Sequence, residues 1–400
     1  MKTFVDYFCS ILLLSSLILV GCTQGVFVVG GSDNNGNFLA TAEVYDPASG
    51  TFITSRATMS TGRLTATATT LANNTSVLVA GGQGPTSLKT AEIYQSIGDS
   101  FTLTPGSLNH VRVAHTATYL DPAVVDALGG QVLIAGGDEF SVTGTAEVYD
   151  PSANAFTETG NMTSPRIQHT AVLISHCGCA ADGSVLIIGG YDNNFNVLSS
   201  AELYDPVTKK FTATGKMHSP RFRHTATLLN NGMVLITGGA YKMSSEDNIN
   251  PALNTAELYN PKTGMFTLTH STMTAYREAH AASLLHDGTV LLTGGQDNHF
   301  LIENTAELFN PTTGTFSSTS SEGCAGSPPP AGCMSSGRDF HLSQTLPDGR
   351  VLIAGGVNSA FSTIATAEIY NPATQSFTPT GNMSIPRSGA AASMVLSGLS

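Results

Sequence analysis

Five Arg-x-x-His groups stand out among the polar residues: Arg112/His115, Arg166/His169, Arg221/His224, Arg277/His280 and Arg338/His341. Arg63 and Arg387 keep the arginine but have Ala66 and Ala390 in the fourth place, so this one position takes seven of the ten arginines. A guanidinium beside an imidazole can hold an anion or a sugar, one as a fixed fork of donors, the other as donor or acceptor. The competing reading is charge pairing inside the scaffold. A glutamate also recurs seven times, at Glu43, Glu92, Glu147, Glu202, Glu257, Glu307 and Glu368, each within an Ala-Glu-aliphatic-Tyr run (Phe309 replaces Tyr in the sixth). Sevenfold repetition of both charges favours the scaffold, because a ligand site needs an asymmetric constellation. No phosphate loop, GxSxG elbow, HExxH helix or dinucleotide fingerprint appears. Asp33-Asn34-Asn35-Gly36-Asn37 resembles a calcium loop but has no Glu in the twelfth place, and reads as a turn.

The elements that position these residues are themselves repeated, about every 50 residues. A run such as HTATLL alternates small polar and aliphatic residues and suits a strand with two differing faces. The next, such as VLITGG, is aliphatic throughout and ends in a glycine doublet, found at Gly30-Gly31, Gly81-Gly82, Gly136-Gly137, Gly189-Gly190, Gly238-Gly239, Gly294-Gly295 and Gly355-Gly356. That fits a strand covered on both faces. The Tyr-bearing third run ends in Asp-Pro or Asn-Pro, which is turn chemistry, and a Phe then opens a fourth run at Phe52, Phe101, Phe156, Phe211, Phe266, Phe316 and Phe377. Four antiparallel strands cannot bury both faces alone, and stacking the units around an axis gives the blades of a β-propeller.

This pattern of aliphatic run, Gly-Gly, Tyr-Asp-Pro, aromatic, Met and Arg resembles the kelch repeat, over roughly residues 26–396. Two departures are visible. The chain has no Trp, Phe standing where kelch units commonly place it, and the second unit reads Tyr94-Gln95-Ser96 in place of Tyr-Asp-Pro. The first Gly-Gly strand has no Arg-led strand before it, and the last Arg-led strand, Ser388 to Val395, has no Gly-Gly strand after it. Pairing the two removes two exposed sheet edges. The expectation is an all-β, seven-bladed propeller of four-stranded antiparallel blades spanning 22–400, closed by the C-terminal strand in the N-terminal blade.

Residues 1–21 read as a lipoprotein-type signal peptide: Ile11 to Val20 is apolar but short for a bilayer span, and Leu19-Val20-Gly21-Cys22 looks like a bacterial lipobox. On that resemblance Cys22 is lipidated, and two acyl chains give a lasting anchor. The chain is then an exported lipoprotein of a bacterial outer membrane or cell surface, otherwise periplasmic or secreted. Connectivity turns the loops between first and second strands toward the lipid. The opposite face carries the long loop 240–254 and the interblade loop 318–336, where binding usually resides. Cys324 and Cys333 could close that interblade loop as a disulfide. Cys177 and Cys179 would be strained if bridged across one Gly; a plain loop pair, oxidised or not, and a metal site with His176 are the alternatives.

Acidic residues outnumber basic ones 29 to 17, against the basic patch a nucleic-acid partner needs. A sevenfold ring holds the five histidines too far apart to share an ion, so no metal or cofactor is expected. The resemblance admits two functional readings. One is a non-catalytic binding module for a glycan or protein. The other is a propeller enzyme acting on a sugar, like the N-acetylneuraminate epimerases, which need an Arg and an acid in the channel. A copper site like that of galactose oxidase needs a Tyr-His dipeptide, which the chain lacks.

Overall fold

The computed structural model describes residues 23–125, 130–137, 141–243 and 250–397. Its strands form seven four-stranded antiparallel sheets. Blade 1 is Thr23–Val29, Ala42–Asp46 and Thr51–Thr54, completed by Ala391–Ser397. Blades 2 to 7 follow in order, their first strands being Thr67–Thr70, Thr116–Tyr119, Thr170–Leu173, Thr225–Leu228, Ala281–Leu284 and Leu342–Thr345. These innermost strands neighbour one another in a closed ring, the architecture the repeat predicts. The closing strand pairs in register from Thr23↔Ser397 to Val29↔Ala391. The signal-peptide and Cys22 readings lie outside the described residues.

In blade 1 the second strand is buried from Gly25 to Val29, and in blades 2 to 7 it is buried along its whole length, as Val234–Thr237 and Val351–Ala354 show. Its two faces pack on both flanking blades: Leu133 and Ala135 of blade 3 share one core with Val185 and Ile187 of blade 4. The third-strand aromatic meets the fourth-strand Phe directly across the ladder, as in Tyr204↔Phe211, their ring centroids 4.8 Å apart. That tilted pair recurs in all seven blades and packs their two outer strands together without tryptophan.

The glycine doublet is where blade meets blade. Gly238 and Gly239 take φ of 57° and 84°. The Gly238 carbonyl accepts from Arg221 of its own blade at 2.8 Å, and the Gly239 amide donates to the Arg277 carbonyl of the next at 2.8 Å. A Cβ on Gly238 would lie 2.3 Å from that same Arg277 oxygen, so only glycine fits.

Candidate functional site

The seven arginines are almost wholly buried, Arg387 being 1 % exposed and the others 0 %. Each pairs with the third-strand Glu of its own blade: Arg63–Glu92, Arg112–Glu147, Arg166–Glu202, Arg221–Glu257, Arg277–Glu307, Arg338–Glu368 and Arg387–Glu43, at 2.8–3.1 Å. Burial lowers the guanidinium pKa values of Arg63, Arg112, Arg166, Arg221, Arg338 and Arg387, and the partner Glu opposes it. The carboxylates also cap the segment entering the blade, Glu202 accepting from the amides of Thr163 (2.7 Å) and Ser164 (3.2 Å). The histidines are wedges between blades. His224 Nε2 meets Thr170 Oγ1 of the preceding blade at 2.9 Å, and His169 meets Thr116 at 3.0 Å. Burial, with nearby arginines adding, pushes His115, His224 and His341 down to about 3, and His169 and His280 well below the ordinary value. The structure therefore brings Arg112, His115, Arg166, His169, Arg221, His224, Arg277, His280, Arg338 and His341 to one ring but turns them into the walls. As placed, the arginines bond within their own blade and none of the ten residues is more than 8 % exposed.

The open positions lie between them. The residue before each His, or before its alanine equivalent, has positive φ: Thr65, Ala114, Gln168, Arg223, Ala279, Phe340 and Gly389, at 47–60°. Backbone hydrogen bonds step from one to the next around the axis, as from Ala279 N to Arg223 O and Phe340 N to Ala279 O, both 3.1 Å. These residues form the channel mouth, and they are not alike. Arg223 Nε donates to Gln168 Oε1 at 3.0 Å, and its guanidinium lies 5.5 Å from the Phe222 ring and 5.2 Å from that of Phe340, two blades on. Glu278 stands 3.7 Å from Arg223. Burial raises the Asp339 carboxyl to about 6, with Glu278 adding to the rise and Arg223 opposing it. On the other side of the mouth the same positions are Ser388-Gly389, Leu64-Thr65 and Val113-Ala114.

Around this mouth the loops from second to third strands share one turn. In blades 1, 4, 6 and 7 an Asx carboxylate or amide accepts amides two and four residues on, as Asp192 does from Asn194 and Asn196, both 2.9 Å. The fourth residue of that turn is left-handed: Gly36 in blade 1, but Phe195, Phe300 and Phe361 in the others, at 55–63°. Phe195 and Phe361 are 65 % and 70 % exposed. Asparagines lace neighbouring loops together, Asn34 bonding both ways with Thr363 (2.9 and 2.5 Å) and Asn250 with Asp297 (2.8 Å). A groove of about 630 Å³ between blades 2 and 3, near Gln95 and Asn154, opens on the opposite face. Asp150, on its rim, is already bonded to Ser152 and Gln131.

The cysteines among the described residues are bridged 177–179 and 324–333. The first bridge resolves a pairing that the sequence leaves open: Gly178 at φ 57° folds the segment so that the two Cα atoms stand 5.3 Å apart. The His176 metal alternative thereby loses its thiols. Among the described residues no cluster of three or more His, Cys, Asp or Glu is placed to hold an ion.

Residues 114–356 match the model of the KLHDC2/KLHL20/DRC7 Kelch-repeats domain, and 22–54 match the Kelch motif. The chain belongs to the kelch-repeat family. Among similar curated proteins, Alpha-scruin of Limulus polyphemus is 26 % identical over 39 % of this chain and 16 % of its own length. Kelch-like protein 34 of Homo sapiens is 32 % identical over 26 % of this chain and 15 % of its own. Spermatocyte protein spe-26 of Caenorhabditis elegans is 29 % identical over 30 % and 20 %. The match thus spans a fifth or less of each relative. The solved structure of YjhT superposes with a TM-score of 0.55 at 12 % identity, over 80 % of this chain and 97 % of that one, a likeness of fold. The kelch propeller suggests a binding module.

Proposed function

We propose that the chain is a non-catalytic docking module for a protein partner, exported and lipid-anchored, which meets that partner with the face where the second strands end. The observation that carries this is the crowding of exposed apolar side chains on that face. Phe195, Tyr241, Met243, Leu301, Phe340 and Phe361 are all exposed there. Clustered aromatics on a pre-formed surface are what protein interfaces use as anchors, and the laced loops keep the cost of ordering low. Two disulfides fit an oxidising compartment, which supports export. The partner is taken to be a protein and not a glycan because the anchors stand on separate loops spread around the mouth.

Photo-crosslinking residues placed at Phe195, Phe300 and Phe361, with Val207 on an outer hairpin as control, test this in the native cells. The three loop positions should give a discrete crosslinked protein and Val207 none; crosslinks spread equally over all four would overturn it. A second reading, an enzyme acting on a sugar, has one observation in its favour: an acid within the electrostatic reach of Arg223, Asp339, is raised to about 6, near the range where acid–base catalysis operates. That reading requires sugar mutarotation that Asp339→Asn abolishes.

A further inference from the structure

Two carboxylate oxygens in the channel mouth lack a hydrogen-bond partner. Glu278 and Asp339 are 5 % and 7 % exposed, and neither Glu278 Oε2 nor Asp339 Oδ1 has a hydrogen bond. Buried charge is ordinarily paired and hydrogen-bonded, because leaving it otherwise forfeits its hydration. The cation beside them does not do this work. Arg223 reaches Glu278 Oε2 only at 3.7 Å, beyond hydrogen-bonding range, and commits its Nε to Gln168. Its side chain is 35 % exposed, so it lies over the acids as a loose cover.

We infer that this mouth is a seat for the guanidinium of an arginine presented by the docking partner, and that Arg223 is a stand-in displaced when that arginine arrives. The inference rests on the reading of this face as the docking face. A guanidinium is planar, weakly hydrated, stacks on aromatic rings and donates in a fork that suits carboxylates. The seat already accommodates one, since the group on Arg223 packs near Phe222 and Phe340. Two acids against one arginine leave room for a second positive charge. An anionic ligand would meet that same excess of acid, in a chain of formal net charge −12, which draws cations at a distance. A sugar hydroxyl could donate to the free oxygens but would bring no charge to match theirs. On the opposite arc the mouth positions Ser388-Gly389, Leu64-Thr65 and Val113-Ala114 bear no charged side chain, so the arginine has one place to go.

Calorimetric titration of the full chain with acetyl-Gly-Arg-Gly-amide tests the seat, alongside the same peptide with Glu in the centre and N-acetylneuraminate. The arginine peptide should bind, and Glu278→Gln and Asp339→Asn should each weaken it about tenfold or more. Arg223→Gln should tighten it, because the competitor is gone. An unchanged thermal midpoint shows that each variant is folded. Preference for the glutamate peptide or the sugar, no arginine-peptide binding at millimolar concentration, or weakening by Arg223→Gln would overturn the inference. Should the loop positions crosslink a partner equally well in Glu278→Gln and Asp339→Asn, the docking face stands and the arginine seat falls. Peptide binding without any crosslinked partner would mean the reverse.

Discussion

Replacing Glu202 with Gln takes the charge partner from Arg166, 2.8 Å away, in a site with no exposure on the arginine side. The guanidinium keeps its bonds to the Gly189 and Ser200 carbonyls, but its charge is stranded, which should cost about 3–5 kcal/mol in denaturant unfolding. Asp348→Asn, which breaks the exposed Arg350 pair, should change stability by less than about 1 kcal/mol. Equal effects would contradict the scaffold role. The buried histidines make a pH prediction. Their pKa values are depressed from 6.5 toward about 3 by burial, so the unfolded chain binds protons that the folded chain refuses. The stability they contribute is whole above about pH 6.5 and drains as pH falls, by about 1.4 kcal/mol per pH unit for each histidine. Asp339 acts oppositely: its carboxyl is raised to about 6, so its contribution is whole below its ordinary value of 3.8 and is lost as pH rises through 6. One acid against five histidines leaves a net fall in thermal midpoint from pH 7 to pH 4, and His224→Gln should flatten it. At this scale the Arg–Glu pairs were legible because both charges recur in step. The mouth was not, because Thr65, Ala114, Gln168, Arg223, Ala279, Phe340 and Gly389 share a backbone conformation and no side-chain type.

Phe361 sits in left-handed backbone at φ 55°, where a bulky residue costs roughly 1–2 kcal/mol and blade 1 places Gly36. Such strain at a mostly exposed side chain gains nothing for folding and marks a position kept for what it touches. Phe361→Gly should leave the thermal midpoint unchanged or raise stability by up to about 1 kcal/mol, since relief of strain outweighs the added freedom of the unfolded chain. The same substitution should weaken partner crosslinking from Phe300. A clear loss of stability would mean that the ring supports the fold and that this loop is structural. The strands, the doublets and the Asx-Pro turns were readable from spacing alone. The loop tips were not: Asp192-Asn193-Asn194-Phe195 and Asp33-Asn34-Asn35-Gly36 make one turn, but the fourth residue changes from Phe to Gly, hiding the equivalence.

Closure couples the blades into one object. The segment Ala391–Ser397 covers the edge of Thr23–Val29 along seven residue pairs and buries Val395 completely. It also bonds blade 2, through Ser393 to Thr70 at 2.5 Å, Leu396 N to Asn74 O at 2.6 Å, and the Leu396 carbonyl to Ser96. In an open array each unit would answer mainly to its neighbours and melt from its ends; a ring has no ends. Ending the chain after Gly389 should therefore lower the thermal midpoint and broaden the transition, because blade 1 keeps three strands, with Val26, Phe27 and Val28 along the uncovered edge, and blade 2 loses an inner neighbour. A synthetic peptide of residues 387–400 should restore both midpoint and sharpness as its concentration rises, since a strand that binds only the folded ring stabilises it by mass action. If the shortened chain melts like the full one, with or without the peptide, the C-terminal strand is not what holds the ring shut.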